Sequence, residues 1–221
     1  MELDKFITQG DDLINNLNEK LENQISKDQN KLLEKVLGEF LDKLQRDENG
    51  VVINNDYNRR LLLTIDKVFE DYKKYQSEKL LTVIVGGALE IFDFNTNYFG
   101  MMDGNAKLKK ITPQVKDTLK YWLGIKGDKA EPNGYLDKLV ESNEAKNLVK
   151  NSAMKIIIGQ QGFDSAKKEM QTLISGNKDT LGALQRYHRN FTYDLFSQID
   201  RAIGNQIGDY LGMNYAIYIK K

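Results

Sequence analysis

The chain has 221 residues, 40% of them apolar and 29% charged, enough to bury a sizeable core in one large domain or two small ones. It contains no cysteine, which excludes disulfides, thiolate zinc sites, iron–sulfur clusters and a cysteine nucleophile. Its 32 basic residues balance its 32 acidic ones, whereas a duplex-DNA binder normally carries a cationic surplus with which to displace counterions.

The opening Met1-Glu2-Leu3-Asp4-Lys5 is charged, so no signal peptide is expected. Ile7, Ile14, Leu17, Leu21 and Ile25 then recur at spacings of three, four and seven, which predicts a helix. Its apolar stripe is narrow, of the width a partner helix would cover. Gly10-Asp11-Asp12 is a candidate break within it. The next stripe, Leu32, Leu33, Val36, Leu37, Phe40, Leu41 and Leu44, is wider and predicts a core-facing helix. Asp47-Glu48-Asn49-Gly50 is a stop signal, because Asn-Gly tolerates the positive φ of a tight turn. Val51-Val52-Ile53 reads as a short extended piece, and Asn54, Asn55 or Asp56 can cap the next helix.

From Tyr57, the positions Leu61, Leu62, Ile65, Val68, Phe69, Tyr72 and Tyr75 keep a helical period. That element either continues through Leu80–Phe94 or bends at Gly86-Gly87, a pair that suits close helix packing better than a phosphate cradle. The longest apolar run, Leu80 to Leu89, rises about 15 Å as a helix, roughly half a bilayer's hydrocarbon core, and is not expected to span a membrane. Phe99–Asn105 reads as a loop. Thr112-Pro113 reads as a helix start, with Val115, Leu119, Trp122 and Leu123 on the buried side.

Gly124 through Gly134, with three glycines and Pro132, reads as a hinge or surface loop. Helical pattern resumes at Leu136, Leu139, Val140, Leu148 and Val149. Ile156-Ile157-Ile158-Gly159 suits a buried strand or a helix end equally. Asp164 is placed to cap a short helix through Ile174, stopped by Gly176-Asn177. One long final helix is expected, with Leu184, Tyr187, His188, Phe191, Leu195, Ile199, Ile203, Ile207 and Tyr210 on its apolar face. Gly212 ends it, and Tyr215–Ile219 alternates like an exposed strand. The expectation is therefore a mainly α, elongated multi-helix protein with two or three short extended segments. Its expected divisions are an N-terminal helical segment (1–49), a central helical region (50–125), a hinge loop with short helices (126–176), and a long C-terminal helix plus terminal strand (177–221).

Little in the pattern points to chemistry. The single histidine, His188, falls on an apolar helix face, where a core or interface role is commoner than a base or ligand role. Ser165 and Ser197 lack the context of a nucleophile elbow. Val85-Gly86-Gly87-Ala88 lacks the spacing of a dinucleotide loop, and no glycine precedes Lys-Ser or Lys-Thr as a Walker loop demands. Carboxylate pairs such as Glu90 and Asp93 read as a solvated face. Tyr187, Phe191, Tyr193 and Phe196 could stack on bases, yet their helical spacing beside Leu195 and Ile199 fits a core. No catalytic residue, cofactor or metal is therefore expected. The remaining signal is helix surface available to other proteins. The candidate contact residues are Ile7, Ile14, Leu17 and Leu21 on the first helix, Arg186, Arg189 and Arg201 on the last, and Tyr215, Ile217 and Ile219 on the strand.

The stretch Gly182-Ala183-Leu184-Gln185-Arg186-Tyr187, then Tyr193-Asp194, Ile199-Asp200-Arg201, Asn205-Gln206 and Leu211–Tyr218, resembles minor head proteins of tailed phages. It looks most like the Mu F-like head morphogenesis group of Bacteroidota phages and prophages. Leu41-Asp42-Lys43-Leu44, Asp47, Gly50-Val51-Val52, Asn58 and Leu61 are similar to the N-terminal region of that group. Its members continue past the last strand into a segment bearing an Arg and a Cys, whereas this sequence stops at Lys220-Lys221. The resemblance implies a non-enzymatic virion protein, a minor capsid or portal-associated component that binds portal, capsid or neck proteins in an oligomeric assembly. It would sit near packaged DNA without specific nucleic-acid recognition, in the phage head or neck after assembly in the host cytoplasm. A neck, adaptor or ejection component, or an unrelated cytosolic helical scaffold, is the alternative.

Overall fold

Apolar periodicity governs most of the chain, and the computed structural model, which describes residues 3–103, 105–126 and 129–212, is mainly α. In chain order the helices are α1 (Leu3–Glu39), α2 (Asp56–Asp103), α3 (Asn105–Leu123), α4 (Tyr135–Glu141), α5 (Asn143–Ile158), α6 (Phe163–Ser175), α7 (Ala183–Thr192) and α8 (Leu195–Leu211). Strands β1 (Ile125–Lys126) and β2 (Lys129–Ala130) come after α3 and pair antiparallel, Ile125 opposite Ala130. The strand expected over Tyr215–Ile219, with its contact candidates Tyr215, Ile217 and Ile219, lies outside the described residues. So do Gly104 and the side chains of Tyr75, Lys107, Lys109, Lys110, Val140 and Phe191.

Several element boundaries differ from expectation. The candidate break at Gly10-Asp11-Asp12 does not form, and α1 runs unbroken for 37 residues. A Cβ at Gly10 would lie 3.3 Å from the Phe94 ring, so this glycine serves close packing. Helix α2 continues through Gly86-Gly87 for 48 residues, and the loop expected over Phe99–Asn105 is largely helical. Thr112-Pro113 does not begin a helix. Pro113 sits inside α3, where its exposed ring forfeits one backbone bond on the solvent side. The ambiguous Ile156–Ile158 run closes α5 as helix. Asp164 lies in the first turn of α6 without capping it, because Gly162 occupies the cap position. The expected single C-terminal helix is two, α7 and α8, separated by Tyr193-Asp194.

The connection from α1 to α2 is built by its polar residues. A short 3₁₀ turn at Leu41–Lys43 ends the first helix, and Gly50 takes a φ of 75° in the expected turn. The Asp47 carboxylate accepts the backbone N–H groups of Asn49 (2.9 Å) and Val51 (2.8 Å). The Asn55 side chain caps α2 by accepting the Asn58 N–H at 2.9 Å. Asn58 is fully buried, accepts from the Gln45 N–H, and donates to the carbonyls of Gln45 and Ile53. The extended Val51-Val52 piece bridges to Arg46 and Gly162, with the Val52 N–H donating to the Gln161 carbonyl at 3.0 Å.

The chain divides into two compact units, and neither is a contiguous stretch. One comprises Met1–Glu22, Leu81–Asp137 and Thr192–Lys221, and the other Asn23–Leu80 and Lys138–Phe191. The four consecutive segments expected from the sequence do not correspond to them, because α1 and α2 are long enough to serve both. In the first unit, α1 and α2 run antiparallel: Phe6 stacks on Phe94 (4.6 Å between centroids) and Leu17 faces Gly87. Helix α8 seats the buried Phe196 ring against Gly87, and α3 packs on α8, with Gln206 donating to Thr118 at 2.9 Å. In the second unit, Val36, Phe40, Ile65, Val149, Met170 and Leu184 join α1, α2, α5, α6 and α7 in one core.

Candidate protein-interaction surface

The narrow stripe of α1 does face a helix, but that helix belongs to the same chain. Leu17 and Leu21 are each 1% exposed, and Leu17 lies beside Gly87 of α2 and Phe196 of α8. They are core and cannot grip a partner while the unit is folded, which corrects the assignment of that face to a partner. Ile7 and Ile14 are half-buried along the same stripe. The arginines are placed differently. Arg186 and Arg189 on α7 and Arg201 on α8 are exposed, with the Arg201 Nε donating to the Ser197 carbonyl one turn back.

His188 is fully buried in the second unit, its Nε2 3.3 Å from the Tyr72 hydroxyl. Burial lowers its pKa to about 4, so near neutrality it is an uncharged core residue. Burial likewise pushes the Tyr72 hydroxyl well up, helped by the nearby Asp28 carboxylate. Asp28 is 1% exposed and is raised by burial, against the lowering effects of the Gln24 amide at 2.7 Å and of Lys31, Lys79 and Lys27. This polar cluster fills core space between helices. Among the described residues no group of three or more His, Asp or Glu side chains is placed to hold a metal ion, and no helix is long and apolar enough to cross a membrane.

One residue that sequence reasoning missed organises the surface around Arg186. Gln29 of α1 is 2% exposed; its amide nitrogen donates to the Ser175 carbonyl at 3.1 Å, and its oxygen accepts the Gln185 N–H at 3.1 Å. It therefore satisfies an orphan acceptor at the end of α6 and an orphan donor at the start of α7 together. The backbone pinches there, since a Cβ at Gly182 would meet the Ile174 carbonyl and the Gln29 amide. At its other end α6 is anchored by the Phe163 N–H donating to the Gly50 carbonyl, with Arg46 lying over the Phe163 ring at 3.7 Å. A lone Gln between two apolar stripes carries no recognisable signal in sequence.

With both ends of α6 fixed, its outer face and the 176–181 turn enclose an open trough of about 450 Å³. Ser165, Lys168, Glu169 and Thr172 line it along α6 with Gln161 just before the helix, Leu173 and Leu181 supply apolar contact, and Arg186 stands on α7. Among the described residues of the first unit the most exposed large hydrophobic side chain is Tyr121, 84% exposed, next to Trp122, which stacks on Tyr135 at 5.7 Å. The chain matches no protein-family model, and neither a curated protein nor a solved structure is significantly similar to it.

Proposed function

We propose that this chain is a non-enzymatic structural protein of a tailed-phage virion, a minor head protein that binds other virion proteins such as the portal. The carrying observation is the residue pattern over 182–218, which resembles the Mu F-like head morphogenesis group. Its described part forms two helices that leave Arg186, Arg189, Arg201 and Tyr210 on their exposed sides. Arginine and tyrosine are the side chains that most often anchor protein interfaces, since each adds large contact area and directed hydrogen bonds. In this reading the long helices supply rigid surface, and the protein resides in the phage head or neck after assembly in the host cytoplasm.

Mass spectrometry of purified virions tests the proposal. The protein should appear at a few copies per particle, and its absence from particles that contain portal and major capsid protein refutes the assignment. Light scattering of the purified chain with and without the portal protein of the same phage supplies the second arm. A mass increase that Arg201→Glu reduces is the expected result.

A further inference from the structure

The trough on the second unit has three features that together specify a ligand. The first is its shape. The α6 residues that line it run from Ser165 to Leu173, a helical rise of about 12 Å, with Gln161 extending the lining just before the helix starts. An extended peptide covers that length with about four residues at about 3.3 Å each. All nine lining residues are exposed or half-exposed, so the trough is open along its length, unlike the enclosed cleft that buries most of a metabolite. The second is its charge. Glu169 is occupied within the chain: one carboxylate oxygen accepts from the Ser152 hydroxyl at 2.7 Å and the other from the Gln161 amide at 3.1 Å. Lys168 and Arg186 have no ion-pair partner among the described residues, so against the single Glu169 carboxylate, whose oxygens are directed at Ser152 and Gln161, the lining keeps a net charge of +1. The third is its mixed lining, with hydroxyls on Ser165, Thr172 and Thr180 beside the apolar Leu173 and Leu181.

We propose that this trough, between the outer face of α6 and the 176–181 turn, binds a short extended acidic peptide segment of a partner protein. In it, Lys168 and Arg186 take carboxylates and Leu173 and Leu181 receive an apolar side chain between them. Arg186 on α7 offers a planar two-pronged donor suited to a carboxylate, and Lys168 on α6 a compact charge. Gln29 acts as a positioning residue, because it holds the α6 end and the α7 start that carry Leu173 and Arg186. This assignment stands on the chemistry of the trough and does not depend on the chain belonging to a virion.

The test uses the full chain and a fluorescein-labelled hexapeptide of alternating glutamate and leucine, followed by anisotropy. A lysine–leucine hexapeptide and a six-nucleotide oligothymidine serve as comparison probes. Saturable binding of the acidic peptide is expected. Arg186→Glu and Lys168→Glu should each weaken it by about fivefold or more, as expected for reversing an exposed charge contact. Lys67→Glu, an equal charge change outside the trough, should leave it within twofold. Because the three side chains are exposed, unchanged far-ultraviolet circular dichroism is expected for every variant. Failure of the acidic peptide to bind, equal binding of the lysine peptide, equal loss with Lys67→Glu, or tighter binding of the oligothymidine each overturns the proposal.

Discussion

The adjacent glycines Gly86 and Gly87 sit in one helix, one residue apart, yet alanine should stabilise the protein at the first position and not at the second. Both have ordinary helical backbone, so alanine gains the same helix propensity at each, about 1 kcal/mol. A Cβ at Gly86 meets nothing within 4 Å, so Gly86→Ala should stabilise the protein by about 0.5–1 kcal/mol. A Cβ at Gly87 would lie 2.6 and 2.9 Å from ring carbons of Phe196 and 3.1 Å from a Leu17 methyl. Phe196 and Leu17 are 0% and 1% exposed, so neither can swing into solvent, and overpacking of this kind costs about 1–3 kcal/mol. Gly87→Ala should therefore be neutral to destabilised by about 2 kcal/mol, with the gap between the two variants isolating the packing term at about 1–3 kcal/mol. Urea denaturation followed at 222 nm measures that gap, and thermal midpoints should separate by about 2–4 °C per kcal/mol. Two alanine variants of equal stability would refute the claim that Gly87 exists to admit the Phe196 ring.

Buried polar and apolar groups lead to four further expected outcomes. His188 has a folded pKa lowered to about 4 against 6.5 in its ordinary state, so the unfolded chain takes up its proton first as pH falls. Its contribution is intact above about pH 6.5 and is lost toward pH 4, where the gap corresponds to about 3 kcal/mol. Asp28, raised by burial, acts in the opposite sense as pH falls through its folded value above 3.8, since its folded carboxyl holds a proton more tightly. His188→Leu should flatten the urea midpoint between pH 6.5 and 4.5, and an unchanged slope would assign the acid sensitivity elsewhere. Asn58→Ala removes three hydrogen bonds at a fully buried site and should cost about 2–4 kcal/mol by the same denaturation assay. Gln29→Leu strands the Ser175 carbonyl and the Gln185 N–H and should cost about 1–3 kcal/mol. Leu17→Asp combined with Leu21→Asp should unfold at least the unit built around Phe196, seen as lost helicity, because it buries two unpaired carboxylates.

The mainly α class was legible because stripes such as Leu32, Val36 and Phe40, or Ile199, Ile203 and Ile207, keep a helical period whatever they pack against. Turns were legible where side-chain chemistry acts locally. Asp47 and Asn55 make the hydrogen bonds that their positions suggest, and Gly50 and Gly176 take the positive φ expected of turn glycines. Boundaries set by distant contacts were not. Gly10 reads as a breaker because sequence shows only the missing side chain, and the Phe94 ring that uses the gap is 84 residues further on. The arginines lie on the polar side of their helices as expected, while Leu17 and Leu21 do not face a partner, for a related reason. A narrow stripe specifies that a helix must cover it, and the stripe is satisfied equally by another chain or by α2 folding back from the far side of the Asp47–Gly50 turn.

The divided C-terminal helix shows where local reading ends. Through Tyr187, His188, Leu195 and Ile199 the apolar period suggests a single face, and Tyr193-Asp194 contains no glycine or proline to interrupt it. The two helices nevertheless serve different cores: Leu184 and His188 are buried in the unit with Tyr72, while Phe196 and Ile199 are buried in the unit with Gly87. Tyr193 is 69% exposed between them. The break is therefore fixed by the two destinations and not by the residues at the join, since each helix gains its stability from tertiary packing of its own apolar face. A proline at Asp194, the residue that precedes α8, checks this directly. Its φ of −117° is not the proline value, so Asp194→Pro should carry some strain, but the helix boundary already present should hold the loss to about 1–2 kcal/mol. The same substitution at Gln198, inside α8, should cost about 3 kcal/mol or more. Equal losses at the two positions would mean that the backbone is continuous helix there and that the two units are joined by one element.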